Sequence, residues 1–530
     1  MKTTALLIIS ILAVLLSACS NNSSFQSQVK ADVNEIKQQI KATHPAFLKP
    51  EDNQEFIAWW HNGDKLVEEK LPLVKTQHDA TALLNYYILG YKEPHMSARR
   101  YTKCKLCLRI PLTRVFLVNF TDTESDLSYA KWSGFFVDLV EDEFIVGHTS
   151  QNWPIDLPPA GAKLQSCDQQ KAHHIYHQKI LPYIDQRAQI DTSSATALFT
   201  FSFPHLYPIL AQQHFSNCQF QLIDGSLKNY ALTWQGAEGL KQTKDDWQNL
   251  GKKLNQGKKP QLGIENKSDL TWVSVPSFTL SSKKVAHYNT VLKQVQQLTD
   301  DDTLVVDLRG NQGGSLYYMA QLIQSIYPSI TSLRYTGTAE PIAHVKASKQ
   351  LIEFYQHHLN LFEQAEQNTI PPKKQFELDT ISRLSRLLKN HKNAKQALVL
   401  TKQQQSELFS YIYQENTRQQ DFAGKVILLT AQDCFSACLT FVDLLRTKDQ
   451  VVHVGKTTNA DTKYLTNIHL STSKGKKFRL PVMHFPNRVR ADNQPIYPQH
   501  QYPGYIWDTA KVAQWILSNQ SIFSNHSNPL

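Results

Sequence analysis

The stretch Asp301-Asp302-Thr303-Leu304-Val305-Val306-Asp307-Leu308-Arg309-Gly310-Asn311-Gln312-Gly313-Gly314-Ser315 constrains the fold more than any other part of the chain. A short apolar run ending in an acid and an arginine, then released into glycines, reads as a buried strand that delivers a loop to a site. Asn311 and the Gly313-Gly314 pair tolerate backbone angles that expose successive N–H groups, as an anion or a transient oxyanion requires. A tight turn after a parallel strand is the plainer alternative, and local sequence leaves it open. A phosphate loop would need Lys-Ser/Thr after the glycines, whereas Ser315-Leu316 stands there.

The same design recurs downstream. Lys425-Val426-Ile427-Leu428-Leu429-Thr430 is a second β-run, and Ala431-Gln432-Asp433-Cys434-Phe435-Ser436-Ala437-Cys438 carries it through a turn into a helix beginning near Cys434. A serine there presents its hydroxyl at a helix N-terminus, where N–H groups stabilise negative charge. Helix capping explains the same serine, and on local sequence alone it is the stronger explanation. Leu270-Thr271-Trp272-Val273-Ser274-Val275-Pro276 and Val451-Val452-His453-Val454-Gly455 add strands, and helical spacing covers residues 284–298 and 317–327. Strands alternating with helices predict an α/β sheet with its site at the strand carboxyl ends.

Upstream the character differs. Helical spacing (Val33, Ile36, Ile40; Phe56, Trp59, Trp60) fills residues 29–89, and the last helix leads into Gly90-Tyr91-Lys92-Glu93-Pro94-His95. Residues 104–240 are β-rich, with runs such as Val115-Phe116-Leu117-Val118 and Gly134-Phe135-Phe136-Val137-Asp138-Leu139-Val140. Leu157-Pro158-Pro159-Ala160-Gly161-Ala162-Lys163-Leu164 followed by a helical segment at 171–183 resembles a degenerate PDZ module, with an unrelated β-rich domain as the alternative. A lysine-rich connection at 241–267 separates this region from the α/β part, and a Gln/Lys/Leu-rich helical insertion occupies 343–421, either a lid or a decoration.

The expected organisation is therefore a leader over 1–19, a tether and helical region over 20–103, the β-rich region over 104–240, and an α/β domain over 265–520. A chain of 530 residues accommodates two or three such domains. Its 41% hydrophobic and 19% charged content is that of a folded globular protein. The net charge of +10 is dispersed, with no basic motif interleaved with aromatics, which argues against nucleic acid as a partner.

Lys2, an apolar run over residues 5–16 and then Leu16-Ser17-Ala18-Cys19 form a secretory leader too short to span a bilayer well. The leader resembles a bacterial lipobox, in which Cys19 becomes the lipidated first residue. Ser20 carries no acidic retention signal, so the resemblance implies the periplasmic face of the outer membrane. In that oxidising compartment the other six cysteines are expected to pair as Cys104–Cys107, Cys167–Cys218 and Cys434–Cys438. A zinc site at Cys104 and Cys107 is the weaker alternative, since no second pair of ligands follows. Residues 20–28 read as a mobile polar tether.

DLRGNxGG at 307–314, followed over a hundred residues later by a strand, a turn and Ser436-Ala437, resembles the S41 peptidases, the tail-specific and tricorn-like serine proteases. Residues 272–278 resemble that family's first catalytic strand, Gly455-Lys456-Thr457-Thr458 its G-x-x-T turn, and 490–498 its acid-containing segment. The resemblance implies a ClpP/crotonase-type fold and no cofactor or metal. It also implies a peptide or unfolded-protein substrate, with membrane attachment through Cys19. Tail-specific members use a lysine about twenty-five residues after the serine, where this chain has Asp461, with Lys456 and Lys463 off register. The tricorn-like arrangement fits instead. It implies Ser436 as nucleophile, His95 as base, Asp492 as orienting acid with Asp508 as competitor, and Gly314 and Ala437 N–H groups as oxyanion donors. Asp307, Arg309, Asn311 and Gly313 support the loop. The chain departs from the family at Leu439, where relatives often carry glutamate, at Ala460, which replaces glycine, and at Cys434 and Cys438 beside the serine. A non-catalytic peptide-binding lipoprotein on the same scaffold is the second function to be weighed.

Overall fold

The computed structural model describes residues 25–99, 133–140, 143–151, 153–183, 185–187, 215–235, 260–330, 343–364, 372–391, 398–401, 403–404, 418–504 and 506–524. Cys19, Cys104, Cys107 and the run at 115–118 lie outside them. No helix among the described residues is long and apolar enough to cross a membrane.

The strand Thr303–Asp307, which leads into the glycine loop, lies at the centre of a six-stranded sheet. Leu270–Ser274 and Lys425–Thr430 flank it in parallel register, Val451–Gly455 and His500–Gln501 extend the parallel part, and Gly263–Lys267 closes the other edge antiparallel. Both faces of these strands are apolar because both are covered. Leu304, Val306, Val426 and Leu428 pack against the helices Ser282–Gln296, Leu316–Ile326 and Ala437–Leu445. Val305, Ile427, Leu429 and Val454 face the opposite side and meet Val512 and Ile516 of the helix Thr509–Ser518. Leu439 is fully buried among the first set, a place where an unpaired carboxylate would be costly.

The N-terminal helices occupy 25–43, Gln54–Lys70 and Gln77–Leu89. Residues 25–28, expected to belong to a mobile tether, are helical instead, and the rest of that stretch lies outside the described residues. Val29, Val33, Ile36 and Ile40 bury one continuous stripe, and Phe25 packs against the same core. Thr76 and Asp79 form a reciprocal capping box that starts the third helix. These helices pack on a hairpin, Tyr464–Ser471 and Lys477–His484, whose second strand also pairs with Ser97–Arg99 and His344–Val345.

That pairing settles the attachment of the insertion. Within 343–421, His344–Val345 and its partner strand Leu398–Val399 join the hairpin's sheet, and the helices Lys349–Gln364 and Pro372–His391 contribute Leu351, Tyr355, Leu384 and Leu388 to the N-terminal core.

The middle region is β-rich as expected. Phe135–Val140, Glu143–Thr149, Lys163–Cys167, Asn217–Gln221 and Leu227–Ala231 form an antiparallel sheet in that spatial order, with Gln170–Lys171 on Lys163–Cys167. Cys167 and Cys218, paired directly across two strands, are disulfide-bonded. Helical turns run from Ala172 through Tyr183, where helix was read from the sequence.

Candidate active site

Ser436 lies between the Lys425–Thr430 strand and the Ala437–Leu445 helix at the N-cap position, yet its side chain makes no capping hydrogen bond. Its backbone instead takes φ 58° and ψ −121°, a region costly for a residue with a Cβ, and projects a partly exposed hydroxyl from an otherwise buried turn. The disulfide Cys434–Cys438 spans this turn, with both cysteines fully buried.

The glycine loop explains how so tight a turn is accommodated. Gly313 has φ +83°, and a Cβ there would stand 2.4 Å from Phe435 O, 2.8 Å from Ala437 N and 3.0 Å from Ser436 Cβ. The loop's second glycine, at φ +135°, lies equally tight against Phe278 and Thr279, with Phe278 N donating to Gly313 O at 3.0 Å and Ser315 N to Phe278 O at 3.0 Å. Asn311 shapes the loop from within: its Oδ1 accepts Gly313 N at 2.8 Å and its Nδ2 donates to Val275 O at 2.8 Å. Gly313 N is thus occupied, while Gly314 N and Ala437 N have no hydrogen-bond partner among the described residues. Asp307 and Arg309 are fully buried and paired at 2.6 Å, with Trp272 Nε1 donating to Asp307 Oδ2 at 3.0 Å and Arg309 Nη1 to Ile506 O at 2.5 Å. They hold the loop and face no open space.

His95 reaches this turn from the opposite end of the sequence. Its Nε2 lies 3.3 Å from Ser436 Oγ across a separation of 341 residues, and its ring packs at 4.8 Å on Phe435. The backbone behind it is fixed, since Arg479 Nε donates to His95 O at 2.8 Å and Ser97 begins a strand paired with Arg479.

The carboxylate on the other ring nitrogen belongs to Glu93. Its Oε1 is 3.1 Å from His95 Nδ1 and also accepts the His95 backbone N–H at 2.8 Å, so acid and imidazole are locked within one turn. Both side chains are almost completely buried. Thr462 Oγ1 donates to Glu93 Oε2, and Tyr464 N donates to Thr462 Oγ1 at 3.2 Å. A carboxylate at Nδ1 selects the tautomer that carries its proton there and leaves Nε2 as acceptor for the serine hydroxyl.

Asp492, the acid expected beside His95, is engaged elsewhere: its Oδ1 accepts Lys463 N at 2.6 Å, it lies 3.8 Å from Arg488, and its side chain is 44% exposed. Asp508 caps the Thr509–Ser518 helix, accepting Lys511 N at 3.2 Å. The 488–494 segment still braces the site. Arg488 and Arg490 grip Asp461 at 2.7 and 2.9 Å, and Asn493 Nδ2 donates to Lys92 O at 2.9 Å, next to Glu93. Burial alone would raise Asp461, but the two guanidiniums hold its carboxyl down at about 2. The position that carries a lysine base in tail-specific relatives is therefore a permanently charged brace in this chain.

Comparison with known proteins agrees with the geometry. Residues 269–500 match the model of peptidase family S41. The chain carries an S41 serine-peptidase domain. No curated protein matches it in sequence. Among solved structures, mature CPAF is similar over 96% of this chain and 99% of its own, at 12% identity and a TM-score of 0.58. Mature CPAF complexed with lactacystin is similar over 95% and 100%, at 12% identity and a TM-score of 0.56. These likenesses concern the fold. His95 and Glu93 lie outside the matched S41 segment, so the segment that supplies Ser436 does not supply the imidazole beside it.

Proposed function

We propose that the protein is an envelope-anchored serine endopeptidase that hydrolyses peptide bonds in unfolded or C-terminal protein segments, with Ser436, His95 and Glu93 as its reacting group. The observation that carries this reading is the continuous line from Glu93 through His95 to Ser436 Oγ, built onto an S41 domain.

In the mechanism, Ser436 Oγ attacks the peptide carbonyl while its proton passes to His95 Nε2. Glu93 stabilises the resulting imidazolium and keeps its ring in place. Gly314 N and Ala437 N donate to the oxyanion of the tetrahedral intermediate. Collapse transfers the Nε2 proton to the departing amine and leaves an acyl group on Ser436. A water molecule, deprotonated by the same nitrogen, then releases the carboxylate product and restores the serine. Attachment to the membrane is through lipid on Cys19, on the periplasmic face of the outer membrane. The leader sequence and the export-compatible disulfides support that placement.

A fluorophosphonate probe tests the chemistry. Labelling of the folded protein that disappears in Ser436→Ala is the expected result; a folded wild-type protein that does not label leaves the non-catalytic peptide-binding scaffold as the better account.

A further inference from the structure

Asp185-Gln186-Arg187 of the middle region repeats in space the arrangement of Asp307-Leu308-Arg309. In each, one aspartate oxygen accepts both the arginine backbone N–H (3.0 Å in both) and Nε (2.8 and 2.9 Å), while the other accepts Nη2 at 2.5 and 2.6 Å. The fork is thereby fixed, and Nη1 is left to reach a carbonyl far away in sequence. For Arg309 that carbonyl is Ile506 O at 2.5 Å; for Arg187 it is Ala460 O at 2.7 Å. Arg187 is 8% exposed, so these bonds form away from competing water.

The loop that Arg187 grips is the one that supports the acid. Asn459 N donates to Cys434 O at 3.1 Å, two residues before the nucleophile, and Asn459 Oδ1 accepts Arg187 Nη2 at 3.3 Å. Three residues on, Thr462 donates to Glu93. Gln186 Nε2 meanwhile donates to Tyr86 O at 3.0 Å, on the helix that runs into the Glu93 turn. One short segment thus holds both the helix that delivers Glu93 and His95 and the loop that receives Glu93.

We infer that Arg187 is a positioning residue for the reaction, acting through Ala460 and Thr462 on Glu93 and hence on the orientation of His95. The inference rests on the catalytic reading of Ser436, His95 and Glu93. It makes the middle region, which lies outside the S41 segment, part of the apparatus that sets the base. Without the guanidinium, the 459–462 loop loses its carbonyl anchor, Thr462 withdraws from Glu93, and the imidazole is held on one side only.

The test is the rate of fluorophosphonate labelling at Ser436 as a function of pH, in the full-length chain. Arg187→Met preserves side-chain volume and removes every donor. The expected result is a folded protein that labels on the order of 10- to 100-fold more slowly, with a displaced pH midpoint. In a Thr462→Val background the same change should cost less than about twofold, because the two residues act in series. Labelling at the wild-type rate and midpoint, or a loss that multiplies in full with that of Thr462→Val, overturns the inference. If Arg187→Met does not fold, Arg187→Lys, which keeps the charge but lacks the fork, is judged by the same two results. A wild-type protein that fails to label overturns the catalytic reading itself, which is a different outcome from normal labelling in the variants.

Discussion

Glu93 accepts two hydrogen bonds from His95, one from the ring at 3.1 Å and one from the backbone N–H at 2.8 Å. A single carboxylate oxygen thereby fixes the imidazole and the chain that carries it, so the acid and the base move as one body.

Glu93→Gln should therefore lower kcat by about 10³- to 10⁴-fold, because an amide at Nδ1 no longer selects the tautomer that leaves Nε2 free to accept. Asp492→Asn should change kcat by less than about threefold, since its contacts lie with Lys463 N and Arg488. Peptide hydrolysis measured for both variants decides which acid serves the base; the reverse ranking would return that role to Asp492.

Gly313→Ala should abolish labelling of Ser436. The added methyl would stand 2.4 Å from Phe435 O at a φ of +83°, so either the glycine loop or the nucleophile turn must shift. The strain amounts to roughly 1–3 kcal/mol, readable as a lowered urea midpoint alongside the lost reactivity. Wild-type labelling in this variant would show that the two turns do not depend on each other.

Acid should weaken the fold well above the range where carboxylates titrate. His453 is fully buried with Nε2 2.8 Å from Thr430 Oγ1, and burial, reinforced by Arg446, pushes its pKa from 6.5 to about 3. The unfolded chain binds a proton below 6.5 that the folded chain refuses until about 3, so stability falls as pH drops through that window. At pH 5 this one histidine should cost about 2 kcal/mol relative to pH 7.5. His453→Gln, which keeps a partner for Thr430, should shrink the pH-dependent difference in unfolding free energy, read from urea unfolding at the two pH values, by that amount; an unchanged difference would mean that the ring titrates alike in the folded and unfolded chain.

Reductant should affect the nucleophile turn only through the unfolded state. Cys434 and Cys438 are both fully buried, so dithiothreitol added to the folded protein should leave Ser436 labelling unchanged. A Cys434→Ala/Cys438→Ala variant, which keeps the Cys167–Cys218 disulfide, should be destabilised by about 2 kcal/mol, the scale for so short a loop, and slower to label. Rapid loss of labelling in the folded protein would show that the crosslink is reachable.

Much of the sheet was legible because its strands are buried on both faces and read as continuous apolar runs. Lys425–Thr430 and Val451–Gly455 coincide with their sequence assignments residue for residue. The two turns were legible as paired glycines after a strand and a serine at a strand-to-helix turn, but local sequence favoured capping for Ser436, and the roles of Ser436 and His95 were implied only by the resemblance to S41 peptidases. Glu93 was missed although Glu93-Pro94-His95 carried the signal, a carboxylate two residues before an imidazole in a turn made rigid by proline. Family position drew attention to the 490–498 segment instead. Thr462, Arg187 and Arg479 could not be found from sequence, since their roles depend on contacts across 369, 273 and 384 residues. No local pattern distinguishes such contacts from ordinary polar surface.

The Cys434–Cys438 crosslink also imposes an order of events on the nascent chain. Its sulfurs are sealed beneath the Ala437–Leu445 helix once that helix packs on the sheet, so an oxidant must reach them earlier, while the strand-to-helix turn is still open. A chain that completes this packing with its thiols reduced has shut out the reagent it needs. The nucleophile's surroundings would then record where the protein folded, and full competence would follow the timing of folding rather than the later conditions of the mature protein.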